Sequence, residues 1–107
     1  MANDYVVIIP DLPGTVEKRV SVRTEHLANV KSLESRGIMT MGGAYLDDPI
    51  ASDKNPPTFK GSVMTFKAES KEELIAILKE DVYTTAGVWD WDNAQVYDFA
   101  CAVRVPK

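Results

Sequence analysis

The sequence predicts an α+β fold of the ferredoxin-like type: a four-stranded antiparallel sheet with two helices on one face, in the element order β-α-β-β-α-β. Two kinds of pattern carry this prediction. Four segments are β-branched runs or alternate apolar and polar residues, and two segments repeat apolar residues every three or four positions. With 107 residues, 45% apolar and 26% charged, the chain is expected to form a single domain over residues 1–107.

Proline, glycine and serine mark the ends of these elements. Pro10 stops the first strand, and Gly37 stands where a glycine commonly ends a helix. Ser70 is the expected N-cap of the second helix, with Glu73 at the capping-box position. The predicted elements are, in chain order, strand 5–10, helix 21–36, strand 38–48, strand 61–68, the helical segment 69–81 and strand 94–105.

Turn-rich segments between these elements are expected to be loops. Residues 49–60 hold three prolines and form a loop long enough to serve as a lid over a site. Gly42 and Gly43 in the second strand indicate a bulge or a place where another group approaches the backbone closely. The expected loops are residues 11–18, 49–60 and 82–93.

One face of the predicted sheet has no helix to cover it, although the strands place apolar side chains on both faces. A single sheet with an uncovered apolar face normally buries that face against a second subunit. The sequence therefore predicts a homodimer in which the open faces of two sheets pack together.

Composition narrows the class of partner. Twelve Lys and Arg against sixteen Asp and Glu give a net charge of −4, and the basic residues are scattered, so neither nucleic acid nor a membrane is expected as partner. The one cysteine, Cys101, cannot form an intrachain disulfide or, with one histidine, a Cys/His zinc site. A carboxylate-based metal site is left open by the composition but has no support in the sequence, so no metal is expected. The sequence has no signal-peptide pattern and no long apolar stretch, which favours a cytoplasmic protein.

The single histidine, His26, lies in the predicted helix 21–36. At about 100° per residue it falls on the face that is expected to be buried. That face is predicted to carry Arg23, His26, Leu27, Val30 and Leu33, with Glu25, Asn29 and Ser32 opposite.

Two interpretations of His26 are open from the residues alone. It is either a packed, hydrogen-bonded histidine or an acid–base group. Asp81 either caps the turn that follows it or, on a continued helix, lies on the buried stripe and needs a partner. A carboxylate beside a histidine holds the imidazole in one orientation and stabilises the imidazolium.

Two long segments, in order, resemble one family. "RVSVRTEHLANVKSLESRGIMTMGGAYLDD" resembles the R-x-x-H-L segment, helix and glycine-containing strand of the YciI-like, or YCII-related, proteins. "GSVMTFKAESKEELIAILKEDVYTTAGVWD" resembles their G-S strand, helix and D-P-Y/F-x-x-x-G-(apolar)-W turn. The resemblance extends from about Tyr5 to Val105, and although each segment is weak alone, the ordered set is fairly specific.

The resemblance implies the dimeric α/β-barrel form of the ferredoxin-like fold and a small enzyme with a His-Asp pair in a cleft beside the sheet. Characterised relatives point to proton-transfer chemistry, including dehydrochlorination of a chlorinated hydroxyquinol. Carried over by position, the pair is His26 and Asp81, with Arg23 and Tyr83 nearby. Val82 stands where the family usually has proline, a residue that would fix the backbone beside Asp81.

Four residues are assigned to substrate binding. Arg23 is expected to hold anionic charge of the substrate, with a surface salt bridge as the alternative. Ser62 is expected to donate a hydrogen bond into the cleft, with a structural role as the alternative. Tyr83 and Trp89 are expected either to wall an aromatic pocket or to pack in the core or dimer interface.

Two functions are weighed. The first is a small enzyme without a cofactor, of lyase or isomerase type, that moves a proton on a small cyclic, aromatic or enolisable metabolite. His26 is then the general acid or base and Asp81 the carboxylate that orients it. The alternative is a non-catalytic dimeric module that binds a small ligand or a protein, because one fold serves both uses.

Overall fold

A computed structural model describes residues 2–49 and 52–105 of the chain. Its strands form one four-stranded antiparallel sheet, with the last strand beside the first. The elements are, in chain order, β1 (Asn3–Pro10), α1 (Val16–Ser21), α2 (Arg23–Ser35), β2 (Met39–Leu46), β3 (Phe59–Ala68), α3 (Lys71–Lys79), α4 (Val82–Thr85), a 3-10 turn (Trp91–Asn93) and β4 (Gln95–Asp98). The strand order β2-β3-β1-β4 confirms the predicted ferredoxin-like fold class.

The core lies between the helices and one face of this sheet. Alternate residues of β1 are buried, because successive side chains of a strand point to opposite faces. The β3 residues opposite them, among them Ser62, are buried as well and therefore lie on the helix side. The core residues are Tyr5, Val7, Ile9, Leu33, Met39, Met64, Phe66, Ala68, Leu74, Leu78, Tyr83, Val88 and Trp89.

The other face of the sheet carries partly exposed apolar side chains. Val6, Ile8 and Val63 are half-buried on this face. Met41 and Tyr97, on the two edge strands, are 49% and 52% exposed. Within the described residues, no helix covers this face.

Two of the predicted boundaries were wrong in the helical regions. The expected loop 11–18 contains the start of α1, because the Thr15 carbonyl accepts the first helical hydrogen bond from the Arg19 amide, at 2.8 Å. The predicted helical segment 69–81 forms α3, which ends at Lys79 instead of continuing through Asp81. Asp81 takes an extended backbone conformation and begins α4, whose first turn it caps. The predicted N-cap at Ser70 is present: its hydroxyl accepts the Glu73 amide at 3.1 Å.

The last strand is shorter than the alternating pattern predicted. Its final ladder pair joins Asp98 to Tyr5, and the Phe99 amide then donates to the Asp4 carbonyl at 3.0 Å. Because β1 begins at Asn3, little backbone is left beside the segment that follows. The alternation through Val105 thus predicted a strand beyond the point where β1 offers backbone partners.

The second strand also differs from the prediction. Its register shifts fall at Met39/Met41 and Tyr45/Leu46, so Gly42 and Gly43 are in regular ladder positions. The close approach that was the alternative to a bulge does occur at Gly42, where an added Cβ would lie 2.9 Å from the Met39 sulfur. Residues 50 and 51 of the predicted lid loop lie outside the described residues.

Gly61 in β3 is expected to be intolerant of a side chain. A Cβ there would lie 2.5 Å from both the Ile9 carbonyl oxygen and the Tyr45 ring. We expect Gly61→Ala to lower the free energy of unfolding by about 1–3 kcal/mol, because backbone and ring must move apart. Gly43→Ala on the neighbouring strand, where nothing lies within 4 Å, is the matched control. Urea denaturation of both variants measures the difference, and equal stability would contradict the packing argument.

None of the helices within the described residues is long and apolar enough to span a bilayer.

Candidate active site

His26 and Asp81 form a direct hydrogen bond. His26 Nδ1 lies 2.8 Å from Asp81 Oδ2, and the Asp81 side chain is only 2% exposed. The contact joins α2 to the start of α4, and Val82, in place of the family's proline, still allows it. Because an ionised carboxylate only accepts, Nδ1 carries the proton and neutral His26 keeps a lone pair on Nε2. No residue in the described part of the chain hydrogen-bonds Nε2.

The Asp81 carboxylate has a structural role as well as its contact with His26. Its Oδ2 also accepts the Tyr83 backbone amide at 2.9 Å, and its Oδ1 accepts Asn29 Nδ2 at 2.7 Å. Burial by itself would raise the pKa of Asp81. The hydrogen bond and charge of His26, with the bonds from Tyr83 and Asn29, outweigh burial and hold the pKa of Asp81 below its ordinary 3.8. The carboxylate is therefore ionised at neutral pH.

Two aromatic rings fix the plane of the imidazole. The His26 ring stacks on Tyr83 with centroids 3.8 Å apart and an interplanar angle of 14°. Trp89 meets both rings edge-on, at 5.9 Å from His26 and 5.5 Å from Tyr83. Burial raises the pKa of the Tyr83 phenol, although the charges of Arg19 and Arg23 oppose this. Tyr83 therefore stays protonated at neutral pH.

A second polar group, centred on the buried Arg19, lies beside this pair. Arg19 Nη1 donates to both oxygens of Asp11, at 2.7 and 2.8 Å, and Nη2 donates to Ser62 Oγ at 2.8 Å. Trp89 Nε1 donates to the same Ser62 oxygen at 3.1 Å. The Arg19 guanidinium carbon also lies 4.6 Å from the Tyr83 ring centroid. Burial raises the pKa of Asp11, while the hydrogen bond and charge of Arg19 act in the opposite direction.

Both polar groups border a cavity of about 370 Å³ between α2 and the β2–β3 side of the sheet. Its wall on β2 consists of the small residues Gly42, Gly43 and Ala44. The functional groups on its wall are His26, Arg19, Arg23, Ser62 and Tyr83. A volume of this size accommodates a small metabolite.

The structure brings most of the predicted site residues to this cavity. Arg23 lines it, is exposed and has no carboxylate partner within 4.0 Å among the described residues, so the surface salt bridge considered as its alternative is not formed. Ser62 and Tyr83 line it from buried positions. Trp89 does not line the cavity; it is 3% exposed and packs behind it. In the described residues, no group of three or more His, Cys, Asp and Glu side chains is arranged to hold a metal ion.

The sequence patterns missed Asn29, Arg19 and Asp11 as residues of the site and misjudged the exposure of Leu27. Asn29 was expected opposite His26, which was wrong: a residue one turn further along a helix lies on nearly the same side, and Asn29 contacts Asp81. Leu27, expected to be buried, is 46% exposed at the cavity wall. Asp11 lies in the expected loop and Arg19 directly after it. The available signal was an acid directly after a buried strand with a base eight residues later.

The lowered pKa of Asp81 predicts an acid-dependent loss of stability. Because the unfolded chain binds this proton more readily than the folded chain, the contribution of Asp81 is complete above the ordinary pKa of 3.8 and is lost as the pH falls below it. We expect wild-type protein to lose more free energy of unfolding than Asp81→Asn between about pH 5 and about pH 3. Urea denaturation of both proteins across this range measures it. Parallel curves would contradict the assigned pKa direction.

The fold and the cavity define this protein as a ferredoxin-like α+β protein with a histidine–carboxylate pair in a cleft beside the sheet. The chain belongs to the YCII-related family: the family's sequence model, described as "YCII-related domain", matches residues 4–100.

Named relatives agree with this assignment. The chain is 32% identical to aspercryptin biosynthesis cluster protein B of Emericella nidulans over 105 residues, covering 97% of this chain and 67% of the relative. It is 34% identical to fusaric acid biosynthesis protein 2 of Gibberella fujikuroi over 96 residues, covering 90% of this chain and 91% of the relative.

A solved structure has the same fold. It is the 5-chloro-2-hydroxyhydroquinone dehydrochlorinase from Burkholderia phenoliruptrix, in complex with 2,5-dihydroxybenzoquinone. It superposes with a TM-score of 0.76 at 24% sequence identity and covers 91% of this chain and 93% of that chain.

Proposed function

We propose that this protein is a small enzyme that needs no cofactor and catalyses lyase- or isomerase-type proton transfer on a small cyclic, aromatic or enolisable metabolite. The observation that carries the proposal is the 2.8 Å contact between His26 Nδ1 and Asp81, which leaves Nε2 available at a cavity of about 370 Å³. A fixed imidazole with a carboxylate behind it is the usual arrangement of an acid–base site.

The chemistry follows from this geometry. The lone pair of His26 Nε2 takes a proton from a substrate carbon next to a carbonyl group, and the C–H electrons form a C=C bond while the carbonyl electrons move to oxygen. The buried Asp81 carboxylate stabilises the imidazolium that results. The imidazolium then returns the proton to another carbon, as in an isomerase. In a lyase, the enolate electrons instead re-form the carbonyl and expel a group from the adjacent carbon with its bonding electrons, and the imidazolium gives its proton to that group or to solvent.

The charge at the cavity suits an anionic or enolisable substrate. Asp11 neutralises Arg19 and Asp81 accompanies His26, whereas Arg23 has no acidic partner in the described part of the chain. Arg23 is therefore the cation that attracts a carboxylate, phenolate or enolate. Ser62 and Tyr83 supply polar contacts on the same wall, and Trp89 supports the site from behind.

The names of the relatives support a small-molecule role. Two belong by name to the biosynthesis of small molecules, and the structural neighbour is named as a dehydrochlorinase with a quinone ligand. These names indicate the chemical range of the compounds to test, but they do not identify the substrate of this protein.

Deuterium incorporation from D2O tests the proposal. The enzyme is incubated with a panel of small cyclic ketones, hydroxyquinones and phenols, and NMR follows the loss of carbon-bound proton signals above the rate without enzyme. Because His26 is the only histidine in the chain, its ring signals also report binding at the site directly. Exchange that depends on His26 is the expected result. Ligand binding that shifts the His26 signals without any exchange favours the non-catalytic binding module instead.

We also propose that two copies pair through the open sheet face. The partly exposed Val6, Ile8, Val63, Met41 and Tyr97 form an apolar surface of the kind a second sheet would cover.

Pairing through this face predicts that Ile8→Glu makes the protein monomeric at micromolar concentration, because a carboxylate would be buried at the interface. Lys31→Glu, on the exposed side of α2, is the matched control and is expected to leave the dimer intact. Sedimentation equilibrium measures both. A wild-type monomer, or dissociation by both variants alike, would contradict the proposal.

A further inference from the structure

We infer that the buried residues Arg19, Asp11 and Trp89 fix the Ser62 hydroxyl as a hydrogen-bond donor, and that the substrate presents a carbonyl or enolate oxygen to it. This inference rests on the proposed proton transfer at His26 and adds to it the position where negative charge is held. Arg19 and Trp89 are thereby positioning residues, because they act through Ser62.

The hydrogen bonds around Ser62 determine the direction of its proton. A hydroxyl has two acceptor lone pairs and one hydrogen to donate. Arg19 Nη2, at 2.8 Å, and Trp89 Nε1, at 3.1 Å, are groups that only donate, so together they occupy both lone pairs. The hydroxyl hydrogen must take the remaining direction, and no described residue accepts it. Ser62 is 2% exposed and lines the cavity, so the acceptor has to come from the cavity.

Arg19 is held too firmly to serve as a mobile anion clamp. It is 4% exposed, and the two oxygens of Asp11 accept from its Nη1 at 2.7 and 2.8 Å. This ion pair cancels its charge and fixes the direction in which Nη2 points at Ser62. The two arginines of the cavity wall therefore have different roles: Arg23 supplies free positive charge, and Arg19 orients a neutral donor.

A fixed neutral donor suits the oxygen of a carbonyl that becomes an enolate. When His26 Nε2 removes the neighbouring carbon-bound proton, charge appears on that oxygen, and a donor already in place needs no reorganisation. Two N–H donors bonded to the same hydroxyl oxygen polarise its O–H bond and strengthen the bond it donates. The substrate class narrows to compounds with an oxygen on the carbon next to the reacting C–H.

Binding of 1,3-cyclohexanedione tests the inference at a pH where this cyclic diketone is an enolate. Its dissociation constant is followed through the ring signals of His26, the only histidine in the chain. We expect Ser62→Ala to weaken binding about tenfold, the effect of losing one hydrogen bond to a charged oxygen. Thr65→Val, on the other face of the same strand, is the control and is expected to bind the diketone as wild type does.

A double-variant comparison tests the positioning role. Arg19→Lys keeps a cation beside Asp11 but cannot bond both Asp11 and Ser62 in the same geometry. It therefore also tests the inference if Ser62→Ala folds poorly. We expect Arg19→Lys to weaken binding severalfold, and Arg19→Lys with Ser62→Ala to bind no more weakly than Ser62→Ala alone.

Each alternative result has a definite meaning. Unchanged binding by Ser62→Ala would overturn the assignment of Ser62 as donor. Independent, multiplying effects of Arg19→Lys and Ser62→Ala would overturn the positioning role of Arg19. Failure of wild-type protein to bind the diketone, with His26 signals that also ignore the wider panel of ketones and phenols, would overturn the proposed function and the inference with it.

Discussion

Replacing His26 with asparagine is expected to lower the rate of enzyme-dependent deuterium exchange by about 10²- to 10⁴-fold, the usual contribution of a general acid–base group. Asparagine is chosen because its amide NH₂ can still donate to Asp81, as His26 Nδ1 does at 2.8 Å. The substitution therefore removes the Nε2 lone pair while keeping the contact that holds α2 to α4. NMR of the exchanging substrate, with circular dichroism of the variant, measures the change.

Two controls separate the loss of the His26 base from a general effect of substitution in this helix. Thr24→Asn, on the exposed side of the same helix, is expected to exchange at the wild-type rate. Free imidazole added to His26→Asn is expected to restore part of the exchange, because it can occupy the vacated space and take the proton. If His26→Asn unfolds, or exchanges as fast as wild type, His26 serves packing and the non-catalytic interpretation gains the support.

Replacing Arg19 with methionine is expected to lower the free energy of unfolding by about 3–5 kcal/mol, because it leaves Asp11 buried without its cation. The Asp11 side chain is only 4% exposed, and in this structure both of its oxygens accept from Arg19 Nη1. Ser62 also loses one of its two donors. Denaturation by urea measures the loss.

Arg23→Met is the matched control for this prediction. It removes an arginine from the same cavity, but Arg23 is exposed and lacks an acidic partner in the described ranges, so the expected change is within about 0.5 kcal/mol. Adding Asp11→Asn to Arg19→Met is expected to recover part of the lost stability, since the buried charge is then gone. Equal losses for the two arginine variants would contradict the view that the Arg19–Asp11 pair supports the fold.

Much of the fold followed from local patterns. The β-branched run at residues 5–10 and the apolar repeat around Leu74 and Leu78 predicted elements that the structure contains, because burial of one face imposes a period on any strand or helix. The boundaries were less reliable. Strand 94–105 was predicted from its own alternation, but a strand ends where its neighbour ends, and Asp98 is opposite Tyr5 near the start of β1.

The residues of the site, like the elements of the fold, could be predicted only in part from the sequence. His26 and Asp81 came from the family resemblance, and the spacing of 55 residues between them carries no local signal of contact. Asp81 proved to be a helix cap and the partner of His26 at once, so two interpretations that seemed to compete are both present in one carboxylate. Neither the cap nor the contact excluded the other, because a carboxylate accepts several hydrogen bonds.

The sequence by itself determined the class of fold, the family and the titratable groups from which a proton-transfer site would be built. Only the tertiary structure decided which groups meet: Asn29 with Asp81, Arg19 with Asp11, and both Arg19 and Trp89 with Ser62. The physical reason is that periodicity reports which face of an element is buried, whereas a buried charge or hydroxyl is satisfied by partners from other elements. Those partners are set by how the helices lie on the sheet.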